Sequence, residues 1–138
     1  MIGNCYTACV ASVLEIPLCS VPNWALLLVD DDRKEAWSEA IDAWAKERGF
    51  FILTTTATPD PKDDCIANGE IAGGCYHLIG GKARDEEHGL VNHSVVGMNG
   101  KMIWDPNQKR NNGLEVVEDY SFFVPLDISK WGMGETNG

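Results

Sequence analysis

The sequence lacks the features that would direct a chain to a membrane, to secretion or to nucleic acid. No apolar run approaches the ~20 residues that a helix needs to cross a bilayer. The first residues, Met1 to Asn4, contain neither the basic nor the apolar segment of a secretory signal. The 11 basic residues are outnumbered by 21 acidic ones and form no stripe that could neutralise a phosphate backbone. We therefore predict a cytoplasmic protein that binds no membrane and no nucleic acid, and we attribute its formal charge of −10 to solubility.

Motifs for nucleotides and for zinc are also missing. The pairs Gly73-Gly74 and Gly80-Gly81 are not followed by Gly-Lys-Ser/Thr, so no phosphate-binding loop is predicted. A zinc site made of Cys65, Cys75 and His77 is an alternative that we disfavour, because the closely spaced cysteine pair of such sites is absent. We predict no cofactor and no metal.

Cysteine occurs 5 times, and an odd number without a secretory signal predicts free thiols in a reducing compartment. Cys9 and Cys19 are predicted to be buried as small apolar side chains, and Cys65 and Cys75 to lie in loops or at strand edges. Cys5 differs, because it follows a Gly-Asn turn and opens an apolar helix. The N-terminus of a helix carries roughly half a positive charge, which stabilises a thiolate. Cys5 is therefore the predicted nucleophile.

The part of the sequence before residue 50 predicts helices. An apolar segment of small residues predicts a helix over residues 5–15, which ends before Pro17. A second helix is predicted to begin at Asp32, with Glu35 in capping-box register, and to end at Gly49. Its apolar stripe follows the spacing i, i+3, i+4 and i+7 and consists of Trp37, Ala40, Ile41 and Trp44. We interpret the acidic run that contains Asp32 as a helix N-terminus, with a metal site as the weaker alternative.

The rest of the sequence predicts a sheet. Strands are expected over 50–56, 75–79, 92–98, 101–104 and 114–117, and 122–124 extends or ends the sheet. Asn99-Gly100 predicts a type I′ hairpin, and the charged segment 82–90 predicts a surface loop. Helices followed by an antiparallel sheet indicate the α+β class, with the N-terminal helices packed on the sheet. We predict a single domain over residues 1–129 and a flexible tail over 130–138.

A cysteine nucleophile needs a base, and His93 is the best placed of the 3 histidines. His93 opens a predicted strand, and Asp105 ends the strand that returns across the Asn99-Gly100 hairpin. Antiparallel pairing brings these two residues side by side, with a bulge or an offset allowed. Asp105 would then accept a hydrogen bond from one imidazole nitrogen and leave the other nitrogen for Cys5. The sequence therefore predicts a Cys5–His93–Asp105 triad.

Gly-Asn-Cys at a helix start, followed by His-Ser-Val-Val and Trp-Asp-Pro in that order, resembles the papain-like cysteine hydrolases. The similarity covers residues 3–24 and 92–114. It is greatest to the compact branch that includes the double-glycine leader peptidases, and it extends to small proteins of phages and bacteria. The resemblance implies a papain-like fold in which Cys5 is the nucleophile, His93 the base and Asp105 the residue that orients the base. Cys9, one turn further along the helix, would be structural.

The sequence departs from that family at the residue that donates a hydrogen bond to the oxyanion. The family usually has a glutamine several residues before the cysteine, and none of the 4 residues before Cys5 is glutamine. Either the Cys5 N–H and Asn4 suffice, or another side chain substitutes, or the site has lost its chemistry. Gln108 is the sole glutamine and follows Asp105. We predict that Asn4, Trp104 and Gln108 contact the substrate, the alternative for Trp104 being a position in the core.

The predicted activity is that of a cysteine peptidase or amidase that forms an acyl-enzyme. Its substrate would be a peptide or amide bond, an isopeptide bond included, and a transferase with the same intermediate stays open. The alternative is a catalytically silent papain-like binding module that sequesters a small ligand or a host protein, as a phage counter-defence protein would. The sequence does not determine the oligomeric state.

Overall fold

Helices pack on one antiparallel sheet in this computed structural model, which describes residues 4–68, 74–107 and 113–127. The helices are α1 (Cys5–Leu14), α2 (Trp24–Leu27) and α3 (Ala36–Glu47), and short 3-10 turns lie at Leu18–Ser20 and Pro61–Asp63. The strands are β1 (Phe50–Thr56), β2 (Tyr76–Asp85), β3 (Gly89–Met98), β4 (Lys101–Trp104) and β5 (Val116–Pro125). In the described residues the strand order is β1-β5-β2-β3-β4, and neighbours are antiparallel. The predicted α+β class is confirmed.

The alternation of side chains along the strands divides the sheet between two cores. Leu78 of β2 and Val96 of β3 are register partners, and both pack against α1. Their neighbours Ile79 and Val95 are also partners, and they pack with Ile66 of the β1–β2 connection. Because successive side chains point to opposite faces, helices cover one face and the β1–β2 connection covers the other. Both faces of the central strands are therefore buried, as their apolar composition requires.

Asp64 fixes the β1–β2 connection over the second core. Its buried carboxylate accepts hydrogen bonds from the main-chain N–H groups of Thr58, Ile66 and Ala67, at 3.0 to 3.1 Å. It also accepts one from the Tyr120 hydroxyl, at 3.2 Å. Burial raises the pKa of the Asp64 carboxyl, but these hydrogen bonds outweigh it and hold the pKa below its usual value. Burial and the charge of Asp64 raise the pKa of Tyr120 to about 12.

The Asn99-Gly100 turn joins β3 to β4. Its two central residues have φ values of 54° and 79°, the left-handed geometry that a type I′ turn requires. A Cβ atom on Gly100 would collide with the main chain of Ile66, so close packing demands glycine as well. The Gly100 N–H donates to Nε2 of His77 at 3.1 Å. The hairpin tip is thus held beneath the β1–β2 connection.

The predicted start of α3 is wrong. The helix begins at Ala36, and no side chain caps it. Asp31 instead accepts hydrogen bonds from the main-chain N–H and the guanidinium of Arg33. This local ring of side chain and backbone competes with helix initiation, and Asp32 does not act as the cap. The predicted end is confirmed, because Gly49 follows the helix with φ of 86°.

The surface loop predicted over 82–90 is also wrong. β2 continues to Asp85 and β3 begins at Gly89, so most of that segment is paired strand. Charged side chains are tolerated because this end of the antiparallel ladder is open to water, where Arg84 lies 2.9 Å from Glu115. The bounds of β1 and β4 confirm the predicted strands, and the last two predicted segments form one strand, β5.

Cysteine burial agrees with the sequence prediction except at one position. Cys9 is buried, whereas Cys19 is exposed. Cys19 lies in the short turn that follows Pro17, where the chain has already left the core. Cys65 and Cys75 are exposed, as expected outside the core.

Among the described residues, no single helix has the length and apolarity needed to cross a membrane. A sharply bent pair, Cys5–Leu14 with Leu18–Leu27, meets that test by length and composition alone. The predicted tail, residues 130–138, lies outside the described part of the chain.

Candidate active site

Cys5 is the first residue of α1, so the free N–H groups of the helix surround its sulfur. The first intrahelical hydrogen bond runs from the Ala8 N–H to the Asn4 carbonyl, at 2.9 Å. The Tyr6 N–H lies before this bond and is one of the groups that lower the pKa of the Cys5 thiol. The first turn carries no acidic residue that would oppose a thiolate. The helix therefore stabilises negative charge on the sulfur, as the sequence predicts.

Ser94 of β3 docks the start of α1 against the sheet. The pairing of β4 with β3 runs over residues 96–98 and stops short of Ser94. The Ser94 N–H donates to the Cys5 sulfur, and the Ser94 carbonyl accepts from the Cys9 thiol at 3.3 Å. Two successive turns of α1 therefore bind the main chain of one strand residue. This contact places the Cys5 sulfur beside the preceding residue of β3, His93.

Ile103 forms a β-bulge in β4. Val96 pairs with Trp104, but the next residue of β3, Gly97, pairs with Met102. Ile103 is therefore an extra residue without a partner of its own in β3.

The bulge determines the face on which Asp105 lies. Without Ile103, a continuous register from the turn would bring Asp105 opposite Ser94, whose side chain points away from the His93 face. With Ile103 inserted, the register brings Asp105 opposite Val95, which shares its face with His93. Asp105 and His93 then become diagonal neighbours, within reach of a histidine and a carboxylate.

Asp105 is buried and holds His93 in one orientation. Its Oδ1 lies 2.7 Å from Nε2 of His93, and both side chains are almost fully buried. The same oxygen accepts the Asn107 N–H at 2.8 Å, and Oδ2 accepts the Gly113 N–H at 3.1 Å. Because these bonds fix the carboxylate, the Nε2–H of His93 is directed at Asp105. Nδ1 is then the nitrogen available to Cys5.

The contact between Cys5 and His93 favours the charged form of both groups. Burial alone raises the pKa of the Cys5 thiol, but the hydrogen bond with His93 and the Ser94 N–H outweigh it, and the pKa falls below its ordinary value. The hydrogen bond with Cys5 raises the pKa of His93, burial opposes this, and Asp105 adds to the increase. The two shifts have the signs expected of a thiolate–imidazolium pair.

Deleting Ile103 is expected to slow the alkylation of Cys5 at about pH 6 by roughly tenfold. Asp105 would move to the other face of the sheet, and the pKa of His93 would lose the increase that Asp105 contributes. Iodoacetamide labelling followed by mass spectrometry measures this rate. Ile103→Ala is the matched control, because it keeps the length of β4 and changes an exposed side chain. Wild-type reactivity in a folded deletion variant would contradict the role of the bulge.

The other two histidines have different surroundings. His77 is fully buried, and burial lowers its pKa. Its Nε2 accepts the Gly100 N–H and its Nδ1 donates to the Leu78 carbonyl at 3.2 Å, so His77 is a neutral structural residue. His88 is exposed at the β2–β3 turn and contacts Asp85 at 2.6 Å. Neither residue contacts Cys5, so His93 remains the candidate base.

The three residues predicted to contact substrate have different positions. Asn4 is exposed next to Cys5, and its side chain makes no cap for α1. Trp104 is 36% exposed at the end of β4, directly before Asp105, which is compatible with a cleft wall. Gln108 lies outside the described residues.

Ser94 was not singled out from the sequence. Its contribution is made by the main chain, so its residue type carries no signal. The position could have been found only by noticing that β4 is too short to cover the start of β3.

The described residues contain no group of three or more histidine, cysteine or acidic side chains that could hold a metal ion. The disfavoured zinc alternative needs a free ring nitrogen on His77, and both of its ring nitrogens are already hydrogen-bonded within the protein.

Comparison of the chain with family models, with curated proteins and with solved structures gives no match.

Proposed function

We propose that this chain is a cysteine hydrolase of peptide or amide bonds, with Cys5 as nucleophile, His93 as acid and base, and Asp105 as the residue that orients His93. One observation carries this proposal: Cys5 and His93 are close enough that each shifts the pKa of the other towards its charged form, and Nε2 of His93 lies 2.7 Å from Oδ1 of Asp105. A nucleophile, a base and an orienting carboxylate in contact are the arrangement that covalent catalysis needs. The papain-like resemblance of the sequence supports the same roles.

In the proposed reaction the Cys5 thiolate attacks the carbonyl carbon, and a thioester forms as the amine leaves. The imidazolium of His93 gives its proton to the leaving nitrogen. His93 then takes a proton from water, which attacks the thioester and releases the acid and the Cys5 thiolate. Asp105 keeps Nε2 protonated throughout, so Nδ1 is the site of proton transfer.

Negative charge on the carbonyl oxygen of the substrate needs hydrogen-bond donors, and two candidates lie beside Cys5. The Cys5 N–H precedes the first intrahelical bond and has no acceptor within α1. The Asn4 side chain is next to it and makes no cap for the helix. We propose that these two groups form the oxyanion site. The alternative is a binding module whose Cys5 reacts poorly.

Reaction with p-nitrophenyl acetate separates the two functions. We expect a burst of about one equivalent of p-nitrophenol per chain, an acetyl group on Cys5, and slow continued turnover as water clears it. Cys5→Ala should abolish the burst, whereas Cys19→Ser, which removes an exposed thiol far along the chain, should leave it unchanged.

A burst that survives in Cys5→Ala would refute the assignment of the nucleophile. Acetylation of Cys5 without any turnover would favour the binding module, unless an added amine clears the acetyl group, which would indicate a transferase.

A further inference from the structure

Asp119 lies in a row of residues that leads to the active-site thiol. Asp119 of β5 pairs with Gly80 of β2, and Gly80 pairs with Ser94 of β3, whose N–H binds the Cys5 sulfur. A Cβ atom on Gly80 would collide with the Asp119 carboxylate, so this carboxylate lies directly over Gly80. It is therefore displaced from its own strand towards β3, on the face of the sheet that carries α1.

A second β-bulge creates this arrangement. Gly80 pairs with Asp119 and Gly81 pairs with Val117, so Glu118 is an extra residue in β5. A Cβ atom on Gly81 would collide with the carbonyl of Val116. In the sequence the two glycines appear only as a break in a strand. In the structure the Asp119 carboxylate requires glycine at position 80, and the main chain of the bulge requires glycine at position 81.

The Asp119 carboxylate is half-buried, and within the described residues it accepts no hydrogen bond and forms no ion pair. Burial and the adjacent charge of Glu118 raise its pKa. Lys82, two residues after Gly80 in β2, donates its hydrogen bond to Asn92. A carboxylate that is partly removed from water without a partner is destabilised, and a bound cation would relieve this cost.

The charge of Asp119 acts on Tyr6, a neighbour of the reactive thiol. Tyr6 directly follows Cys5, and the charges of Asp42 and Asp119 add to burial in raising its pKa. Its side chain also lines a cavity of about 380 Å³, together with Ser38, Asp42 and Thr54 among others. Two carboxylates, Asp42 and Asp119, therefore act on Tyr6, the residue next to Cys5 in the chain. Carboxylates and aromatic rings are the groups that bind ammonium and guanidinium ions.

We propose that Asp119 binds a cationic group of the substrate, an ammonium or a guanidinium, next to the bond that Cys5 attacks. This inference rests on the proposed function, because it assigns the substrate class of the same site. Asp119 acts as a specificity residue and takes no part in bond making or breaking. Neutral and acidic substrates of the same length are accordingly poorer.

Methanethiosulfonate reagents test the inference without knowledge of the natural substrate. The Cys5 thiolate attacks the divalent sulfur of the reagent, the bond between that sulfur and the sulfonyl sulfur breaks, a mixed disulfide forms and methanesulfinate leaves. The probes are the cationic 2-aminoethyl reagent and the neutral methyl reagent, and the 2-aminoethyl chain is comparable in length with the spacing of neighbouring strands, about 4.8 Å. The exposed thiols Cys19, Cys65 and Cys75 are replaced by serine, and labelling of Cys5 is followed by mass spectrometry.

We expect Cys5 to prefer the cationic reagent, and Asp119→Asn to lower the ratio of cationic to neutral rates by about tenfold. The matched control is Glu118→Gln, which removes the same charge from the adjacent exposed residue and should change the ratio by less than about twofold. If the rate ratio falls equally in Asp119→Asn and Glu118→Gln, the preference reflects only the net negative charge of the protein, and the inference is overturned.

The neutral reagent separates this inference from the proposed function. If it labels Cys5 rapidly at about pH 6 but Asp119→Asn leaves the rate ratio unchanged, the cation site is refuted and the thiol–imidazole pair stands. If it labels Cys5 no faster than it labels the His93→Ala variant, the proposed function fails.

Discussion

Replacing His93 with alanine is expected to slow the alkylation of Cys5 by iodoacetamide at about pH 6 by roughly 100-fold. The hydrogen bond with His93 is the largest of the contributions that lower the pKa of the Cys5 thiol. Without it, burial raises that pKa, and the thiolate that reacts becomes scarce below neutral pH. The helix N-terminus and the Ser94 N–H remain, but they stabilise the thiolate without supplying a full charge.

The pH profile gives the sign of each shift. In the wild-type chain, alkylation should persist to lower pH than for an ordinary thiol and decline as the pH falls through the lowered pKa of Cys5. Hydrolysis should also decline as the pH rises through the raised pKa of His93, because the leaving group then lacks its acid. Activity would follow a bell whose two limbs belong to the coupled pair.

His88→Ala is the matched control, because it removes an exposed imidazole that contacts Asp85 and not Cys5. It should leave the alkylation profile of Cys5 unchanged. Equal profiles for the wild type and His93→Ala, each with an apparent pKa near 8.5, would refute the thiolate–imidazolium pair.

Replacing Asp64 with alanine is expected to lower the free energy of unfolding by about 3 kcal/mol, the largest effect on stability that we predict. The change leaves three main-chain N–H groups and the Tyr120 hydroxyl without their acceptor beneath the β1–β2 connection. Water can reach part of this segment, so the loss is smaller than the sum of four buried, unsatisfied donors. Urea unfolding followed by tryptophan fluorescence measures it.

Asp63→Ala is the control for Asp64→Ala, since Asp63 is an exposed neighbour of the same chemistry. It should change the stability by less than about 0.5 kcal/mol. The pKa of Asp64 is lowered in the folded state, so its contribution is present above the unfolded value of about 3.9 and is lost as the pH falls through the folded value. If Asp64→Ala and Asp63→Ala unfold at the same urea concentration, the carboxylate does not hold the connection.

The sequence was informative where a local rule decides the structure. Asn99-Gly100 determines a type I′ turn because few residues accept positive φ at two successive positions. Once that turn is known, the spacing of His93 and Asp105 brings them to neighbouring strands. The position of Cys5 at a helix start follows from the apolar segment behind it. These inferences need only backbone geometry and the alternation of side chains.

The sequence was uninformative where packing between distant segments decides. Nothing in Lys-Met-Ile-Trp marks Ile103 as a bulge, because that residue is extra only relative to the register of β3. The main-chain groups of Ser94 act on α1 only because β4 is short. Asp119 approaches β3 only because Gly80 lies beneath it. The misplaced start of α3 has a similar cause, a side-chain contact of Arg33 that competes with the cap.

Asp105 also binds the main chain after β4, because its carboxylate accepts hydrogen bonds at two positions that lie on either side of residues 108–112. One carboxylate holds the N–H groups of Asn107 and Gly113, so the entry and the exit of residues 108–112 are anchored at a single point. A substitution at Asp105 would therefore release the main chain at Asn107 and Gly113 as well as the ring of His93. The orientation of the base and the path of the chain after β4 are thus coupled through one side chain.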